Sequence, residues 1–151
     1  MLEIERPGDM KAYVGQTIGH SDWVQVDQPM INAFADATGD HQWIHVDLER
    51  ATREMPGGKT IAHGYLTLSL LPRLQEQIYR IHHTSRTLNY GANKVRFTAP
   101  VPSGSRVRLQ ATVKQVDDVP GGVRLTLESV IELEGSSKPA LVAETLFMAF
   151  D

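Results

Sequence analysis

The chain has 151 residues, 41% of them apolar, and a formal net charge of -3 at neutral pH. This size and composition are ordinary for one globular domain, and the weak negative charge, without any run of Lys and Arg, argues against nucleic acid as a partner. The absence of cysteine excludes disulfides, thiolate metal sites and a thiol nucleophile, so the available chemistry is that of oxygen and imidazole groups.

The amino-terminal region contains charged side chains throughout and no apolar stretch, which is not the pattern of a secretory signal or a membrane anchor. No segment reaches the roughly 20 apolar residues that a transmembrane helix needs. We therefore expect a soluble, cytoplasmic protein that binds neither a membrane nor nucleic acid.

The first half of the chain carries the signals of a strand followed by helices. Residues 23–26 have the alternation of a short strand, and Asp27 is suited to cap a helix that extends to about Thr38. Gly39 follows where helices commonly end in a left-handed residue. Residues 40–45 are therefore predicted to form an exposed turn and not a continuation of the helix.

The next apolar segment predicts the longest helix of the chain. It follows a second short helix, which Asp47 can cap and which the Pro-Gly-Gly sequence at 56–58 ends. From Gly64 onward, apolar residues recur at helical spacing, at Leu66, Leu70, Leu71, Leu74, Ile78 and Ile81. Pro72 lies inside this helix and is predicted to kink it or to mark an irregular turn.

The second half of the chain alternates with the two-residue period of half-buried antiparallel strands. Apolar residues over 107–113 and 123–133 alternate with charged and polar ones. Turns are predicted at 120–122 and 135–137, and flanking strands at 88–98 and 141–150.

These elements predict an α+β fold. The four strands are expected to follow one another as a meander, and a sheet and an apolar helix must bury their faces on each other. We expect a single domain over 1–151 in which an antiparallel sheet wraps around one long central helix, with an additional helical segment before that helix.

Ionisable residues are densest between Asp40 and Asp47, where His41 and His45 also lie, and His63 follows in a later loop. Three interpretations remain open. A metal site would use His41 and His45, but their spacing brings two imidazoles together only on a helix, which the predicted turn argues against. A structural interpretation makes His45 a core histidine and Asp40 a turn residue. In the third, a carboxylate and an imidazole at the two ends of one loop act as acid and base on a bound water.

Gly64 supplies a feature that the third interpretation needs. A glycine that opens a buried helix leaves its N–H free at the positive end of the helix dipole and lets a substrate carbonyl approach closely. Adding water to an enoyl thioester places negative charge on the thioester oxygen, and one such donor stabilises that transition state by about 2.7–4 kcal/mol. A tight turn is the alternative explanation of this glycine.

Three segments of the sequence resemble a known family. Residues 34–47 (FADATGDHQWIHVD), 61–64 (IAHG) and 97–101 (FTAPV) resemble the MaoC-like dehydratases, the (R)-specific enoyl-CoA hydratase branch of the hotdog fold. The resemblance covers nearly the whole chain from about Val14.

The resemblance implies that Asp40 and His45 bind and activate the water and that the N–H of Gly64 holds the thioester carbonyl. His63 and Gln42 stand beside these residues in the motifs and are assigned to the substrate-binding set. The implied reaction is reversible hydration of a trans-2-enoyl-CoA to the (R)-3-hydroxyacyl-CoA, without metal or organic cofactor. The implied carrier is CoA or acyl carrier protein, and the implied assembly is a homodimer whose sheets join edge to edge.

One part of the motif departs from the family. The family loop usually reads Asp-x-Asn-Pro, whereas here Gln42 and Trp43 occupy the middle. Gln42 can replace the asparagine as a polar clamp of the loop. Trp43 either narrows the acyl site or packs beneath the loop.

Two other functions compete with hydration. Many hotdog thioesterases place a catalytic carboxylate on the central helix, but the predicted helix carries only Glu76, far from its start. In a non-catalytic module that binds acyl thioesters, Asp40 and His45 would be structural.

Overall fold

The regular structure consists of five short helices and eight strands, and the computed structural model describes residues 1–151. The strands are β1 (Leu2–Ile4), β2 (Thr17–His20), β3 (Val24–Val26), β4 (Tyr79–Ile81), β5 (Arg86–Phe97), β6 (Ser105–Val119), β7 (Gly122–Leu133) and β8 (Leu141–Phe150). The helices are α1 (Gln28–Thr38), α2 (Trp43–Val46), α3 (Leu48–Glu54), α4 (Gly64–Ser69) and α5 (Leu71–Gln75), with 3-10 turns at Pro7–Tyr13 and Pro56–Gly58.

One antiparallel sheet of six strands forms the body of the fold. Its order is β2, β6, β7, β8, β5, and β3 also pairs with β6. The predicted meander is correct for β6, β7 and β8 but wrong for β5, which pairs with β8 at the edge of the sheet and not with β6. The two-residue period records which face a side chain takes and carries no information on which strand lies beside it.

The predicted alternation places the core on one face of the sheet. Val107, Leu109, Ala111 and Val113 of β6 are all buried. The central helices α4 and α5 pack on the larger of two apolar clusters through Leu66, Leu70, Leu71 and Leu74. Burying a side chain of this size stabilises the fold by about 1.5–3 kcal/mol, so this contact holds the helix against the sheet.

The central helix is shorter than predicted. It is divided at Leu70 into α4 and α5, with Pro72 in the first turn of α5, because proline has no N–H to donate to the preceding turn. The helix ends at Gln75, and Ile81, predicted to be helical, lies in β4 and pairs in parallel with Ile4. Residues 78 and 81 fit the helical spacing by coincidence.

The helical segment before the central helix is present as α1, α2 and α3. As predicted, Asp27 caps α1 by accepting a hydrogen bond from Met30, and Gly39 ends it with a φ of 79°. The expected exposed turn over 40–45 is partly wrong, because α2 begins at Trp43 and buries His45. None of the helices has the length and apolar character needed to cross a membrane.

Candidate active site

Asp40, His45 and His63 converge from three different segments. Asp40 follows the left-handed cap of α1, His45 lies in α2, and His63 directly precedes α4. One carboxylate oxygen of Asp40 and one ring nitrogen of each histidine lie within 4.8 Å of one another. The predicted proximity of Asp40 and His45 is therefore present, and a third ionisable residue joins them.

His45 is held in one tautomer by the main chain. It is 6% exposed, and its Nδ1–H donates to the carbonyl oxygen of Ile61 at 2.6 Å. Its Nε2 therefore carries the lone pair when the ring is neutral. Burial lowers the pKa of His45 below its usual 6.5; the Ile61 carbonyl opposes this shift, the charge of His63 adds to it, and Asp40 opposes it. The result is a neutral, proton-accepting imidazole.

The backbone of His45 is also fixed. The side-chain amide of Gln28, at the start of α1, donates to the His45 carbonyl oxygen at 2.7 Å. The hydroxyl of buried Thr60 donates to the amide oxygen of Gln28 at 2.5 Å. These two hydrogen bonds join partly buried polar groups. They tie α2 to α1 and to the segment before α4 that contains Thr60.

His63 lies behind the other two residues. It is 2% exposed, and its Nε2–H donates to the main-chain carbonyl oxygen of Asp40 at 2.9 Å. Its ring stacks on that of His45, with centroids 3.8 Å apart and planes inclined by 24°. The ring of Phe34 contacts it at a centroid distance of 4.9 Å. The Nδ1 of His63 is buried and has no hydrogen-bond partner.

Asp40 is exposed, and its carboxylate accepts one long hydrogen bond from the rest of the chain. The Oδ1 atom accepts a hydrogen bond from the backbone N–H of Gln42 at 3.3 Å. The side chain of Gln42 is exposed and makes no hydrogen bond, so the contact between these two residues uses the Gln42 backbone. Most of the Asp40 carboxylate remains free to bind another molecule.

A cavity of about 280 Å³ opens beside His45, and residues from all three segments of the sequence motif line it. Gly64 lies in its wall, and the opposite wall is the run 97–101 between β5 and β6. The N–H of Gly64 makes no hydrogen bond within the chain. A Cβ at this position would lie 3.0 Å from the ring of Phe97, so the close packing of Phe97 also requires a glycine here.

Thr67 is a wall residue that the sequence did not single out. It is buried, it lines the cavity, and its hydroxyl makes no hydrogen bond. It follows Gly64 by three residues, so both lie on the same face of α4. That spacing is the signal that would have identified it, because helix residues three apart are neighbours on the surface.

Two residues within the motif, Trp43 and His41, do not line the cavity. Trp43 is half-buried, and the guanidinium of Arg50 lies 4.0 Å above its ring, so Trp43 packs toward α3. His41 is exposed and pairs with the carboxylate of Asp36 at 2.9 Å, which raises the pKa of His41. The structure therefore separates His41 from His45 and does not form the metal pair considered from the sequence.

Asp40, His45 and His63 are the one close group of potential metal ligands, but the histidine rings do not suit a shared ion. An imidazole binds a metal in the plane of its ring at about 2.0–2.1 Å. The rings of His45 and His63 stack 3.8 Å apart in nearly parallel planes. An ion in the plane of one ring lies outside the bonding reach of the other.

Three other cavities are larger: one of about 320 Å³ lies beside Trp23, and two, of about 510 and 480 Å³, lie along β5. The largest of the three contains Tyr79, whose pKa burial raises to about 12, so its hydroxyl stays protonated. None of the three is lined by a histidine. A larger volume does not supply the acid and base pair that addition of water needs. The smaller cavity beside His45 is therefore the better candidate site.

The fold and the site define a class. A sheet wrapped around a central helix is the hotdog fold, and the R-hydratase PhaJ1 from Pseudomonas aeruginosa shares it with a TM-score of 0.73, at 22% identity, over 91% of this chain and 82% of that chain. Residues 9–132 match the MaoC like domain.

Relatives at higher identity agree with this match. The chain is 53% identical over 147 residues to 3-hydroxyacyl-thioester dehydratase Z of Mycobacterium tuberculosis, covering 97% of both chains. It is 43% identical over 150 residues to nodulation protein N of Rhizobium meliloti, covering 93% of this chain and 89% of that protein. The chain belongs to the MaoC-like dehydratase family, and it is a hydro-lyase.

Proposed function

We propose that the protein is an (R)-specific enoyl-CoA hydratase and dehydratase, which adds water reversibly to a trans-2-enoyl-CoA in fatty-acid metabolism. The observation that carries the proposal is the approach of the Asp40 carboxylate to within 4.8 Å of the ring of His45, which lines the cavity that contains Gly64. The name of the Mycobacterium tuberculosis relative, a 3-hydroxyacyl-thioester dehydratase, describes the same reaction in reverse.

The spacing of Asp40 and His45 suits one shared water. Two acceptors that each take a hydrogen bond of about 2.8 Å from the same water lie roughly 4.5 Å apart. An ionised carboxylate and the free Nε2 of neutral His45 are both acceptors. Together they hold both hydrogens of the water, and its oxygen lone pair is left to attack carbon 3 of the enoyl group.

The proton balance follows from that arrangement. The new bond joins the water oxygen to carbon 3, one water proton passes to the Asp40 and His45 pair, and the pair returns one proton to carbon 2. Because water and proton come from the same side of the substrate, the addition is syn. Neither metal nor organic cofactor enters any step.

We assign to the N–H of Gly64 the stabilisation of the negative charge that develops on the thioester oxygen. This N–H has no partner within the chain and lies in the cavity wall with His45. A donor aimed at a developing oxyanion is worth about 2.7–4 kcal/mol in the transition state. The free hydroxyl of Thr67, on the same helix face, is a second donor for the bound thioester.

The arrangement favours hydration over thioester hydrolysis. A thioesterase of this fold would need a carboxylate on the central helix. The only candidate is Glu76, which follows α5 and lines the cavity that contains Tyr79. That residue lies at the opposite end of the central helix from Gly64. A binding module remains the alternative from another class.

We also propose that residues 1–151 act as one domain and that two copies pair through β5. Both apolar clusters are built on the same sheet. The β5 strand has one hydrogen-bonded neighbour, and all of its residues except Val95 are exposed. Leu88, Tyr90 and Phe97 present large apolar side chains there. A long unpaired edge of this kind is normally covered.

Incubation with crotonyl-CoA tests the function directly. Loss of the absorbance of the conjugated double bond together with formation of (R)-3-hydroxybutyryl-CoA is the expected result. Release of free CoA would indicate a thioesterase, and recovery of unchanged substrate would favour a binding module. The same assay with crotonyl-acyl carrier protein and with longer enoyl chains determines the carrier and the acyl length.

A further inference from the structure

His63 is the most deeply buried ionisable side chain of the molecule, at 2% exposure. It does not line the cavity beside His45, although the next residue, Gly64, does. Its contacts lead instead to the groups that the proposed hydration uses.

Each contact of the His63 ring fixes a different part of the site. The Nε2–H bond of 2.9 Å holds the carbonyl oxygen of Asp40, where the chain leaves α1. One side of the ring stacks on His45, and Phe34 of α1 contacts it at 4.9 Å. The His63 ring therefore contacts both residues that share the water, and its own backbone leads into Gly64.

We infer that His63 is a positioning residue of the hydratase site, which holds the Asp40 main chain and the His45 ring at the separation that one water needs. This inference rests on the hydratase function proposed above. It differs from the substrate-binding role expected from the sequence, because His63 acts through Asp40 and His45 and touches neither the water nor the thioester.

The stack has an electrostatic effect as well as a geometric one. The charged or titratable groups that face His45 are Asp40 from the loop after α1 and His63 from the segment before α4. The remaining cavity wall, over 97–101, and Gln28 beneath α2 carry no ionisable side chain. A charge on His63 opposes protonation of His45, so removal of the His63 ring leaves His45 easier to protonate.

Two substitutions separate these effects. His63→Gln keeps an amide N–H that can reach the Asp40 carbonyl, and His63→Leu keeps volume but has no donor. With crotonyl-CoA, we expect H63L to lower kcat about 100-fold, the size of loss that a misplacement of roughly 1 Å causes, with KM nearly unchanged. H63Q should recover most of that kcat. In both variants the acidic limb of the pH profile should move to higher pH.

The exposed His41 gives the matched control, since H41Q and H41L alter a histidine that has no contact with the stack. Melting temperatures identify any variant that fails to fold, and if H63L fails, kcat and the pH profile of H63Q decide the matter. A wild-type protein active on crotonyl-CoA whose H63L variant keeps full kcat, or whose loss falls on KM, overturns the positioning role alone. A wild-type protein inactive on every enoyl thioester overturns the hydratase function, and this inference with it.

Discussion

The Nδ1–H of His45 donates to the carbonyl oxygen of Ile61 at 2.6 Å, and the backbone N–H of Ile61 donates in turn to the carbonyl oxygen of Ile44 at 3.0 Å. These two bonds join α2 to the segment before the central helix. They fix both the direction of the His45 ring and its tautomer, since a carbonyl oxygen can only accept. The proton-accepting Nε2 of His45 therefore depends on a contact between segments 16 residues apart in the chain.

Replacing either member of the catalytic pair should abolish most of the activity. We expect Asp40→Asn and His45→Ala each to lower kcat for crotonyl-CoA hydration by about 10²–10⁴-fold, the usual contribution of a positioned acid or base. Asp36→Asn and His41→Ala are matched controls, because these residues are exposed, pair with each other and do not belong to the group formed by Asp40, His45 and His63. Near-normal turnover in D40N or H45A would remove these residues from the mechanism.

The activity of the enzyme should persist to a lower pH than an ordinary histidine would allow, because His45 stays neutral there. Burial penalises the charged imidazolium and lowers the pKa of His45 below 6.5, so the proton-accepting form persists as the pH falls. We expect the acidic limb of kcat/KM against pH to have its midpoint below 6.5. A midpoint above 6.5 for wild-type hydration would show that the limiting group is not His45 in this environment.

Gly64→Ala separates a packing role from a catalytic one. The added Cβ meets the Phe97 ring at 3.0 Å, and overpacking of this kind costs about 1–3 kcal/mol of folding free energy. The double variant G64A/F97L relieves that crowding, with F97L alone as its control. We expect the double variant to regain the melting temperature but not kcat/KM, because the methyl group remains in the wall where the carbonyl approaches. Recovery of both would reduce Gly64 to a packing residue.

The exposed edge strand predicts the form of the assembly. Tyr90 of β5 is 62% exposed, and Tyr90→Glu places a charge in the proposed contact between two copies. We expect the wild-type protein to sediment as a dimer and Y90E to shift toward the monomer. Leu48→Glu is the control, since Leu48 is 57% exposed but lies in α3 and not in the edge strand. A wild-type monomer, or a dimer unaffected by Y90E, would contradict pairing through β5.

Local signals in the sequence located much of the fold. The cap at Asp27, the left-handed Gly39 and the alternation of β6 all depend on residues a few positions apart, and each was predicted correctly. The same signals predicted one loop for Asp40 and His45, whereas the structure places Asp40 after α1 and His45 in α2. Where a choice depended on distant contacts, the local signal was ambiguous, as at Ile81, which suits a helix by its spacing but is a strand because it pairs with Ile4.

The sequence alone therefore determined the α+β class, the family motif and the candidate pair of Asp40 and His45. Only the tertiary structure decided that β5 lies beside β8, that α2 turns His45 inward, and that His63 lies behind the pair with its N–H on the Asp40 carbonyl. The reason is physical. Caps and periodicity are set by the nearest residues in the chain, whereas the direction of a buried imidazole is set by the hydrogen-bond acceptors and rings that distant segments bring against it.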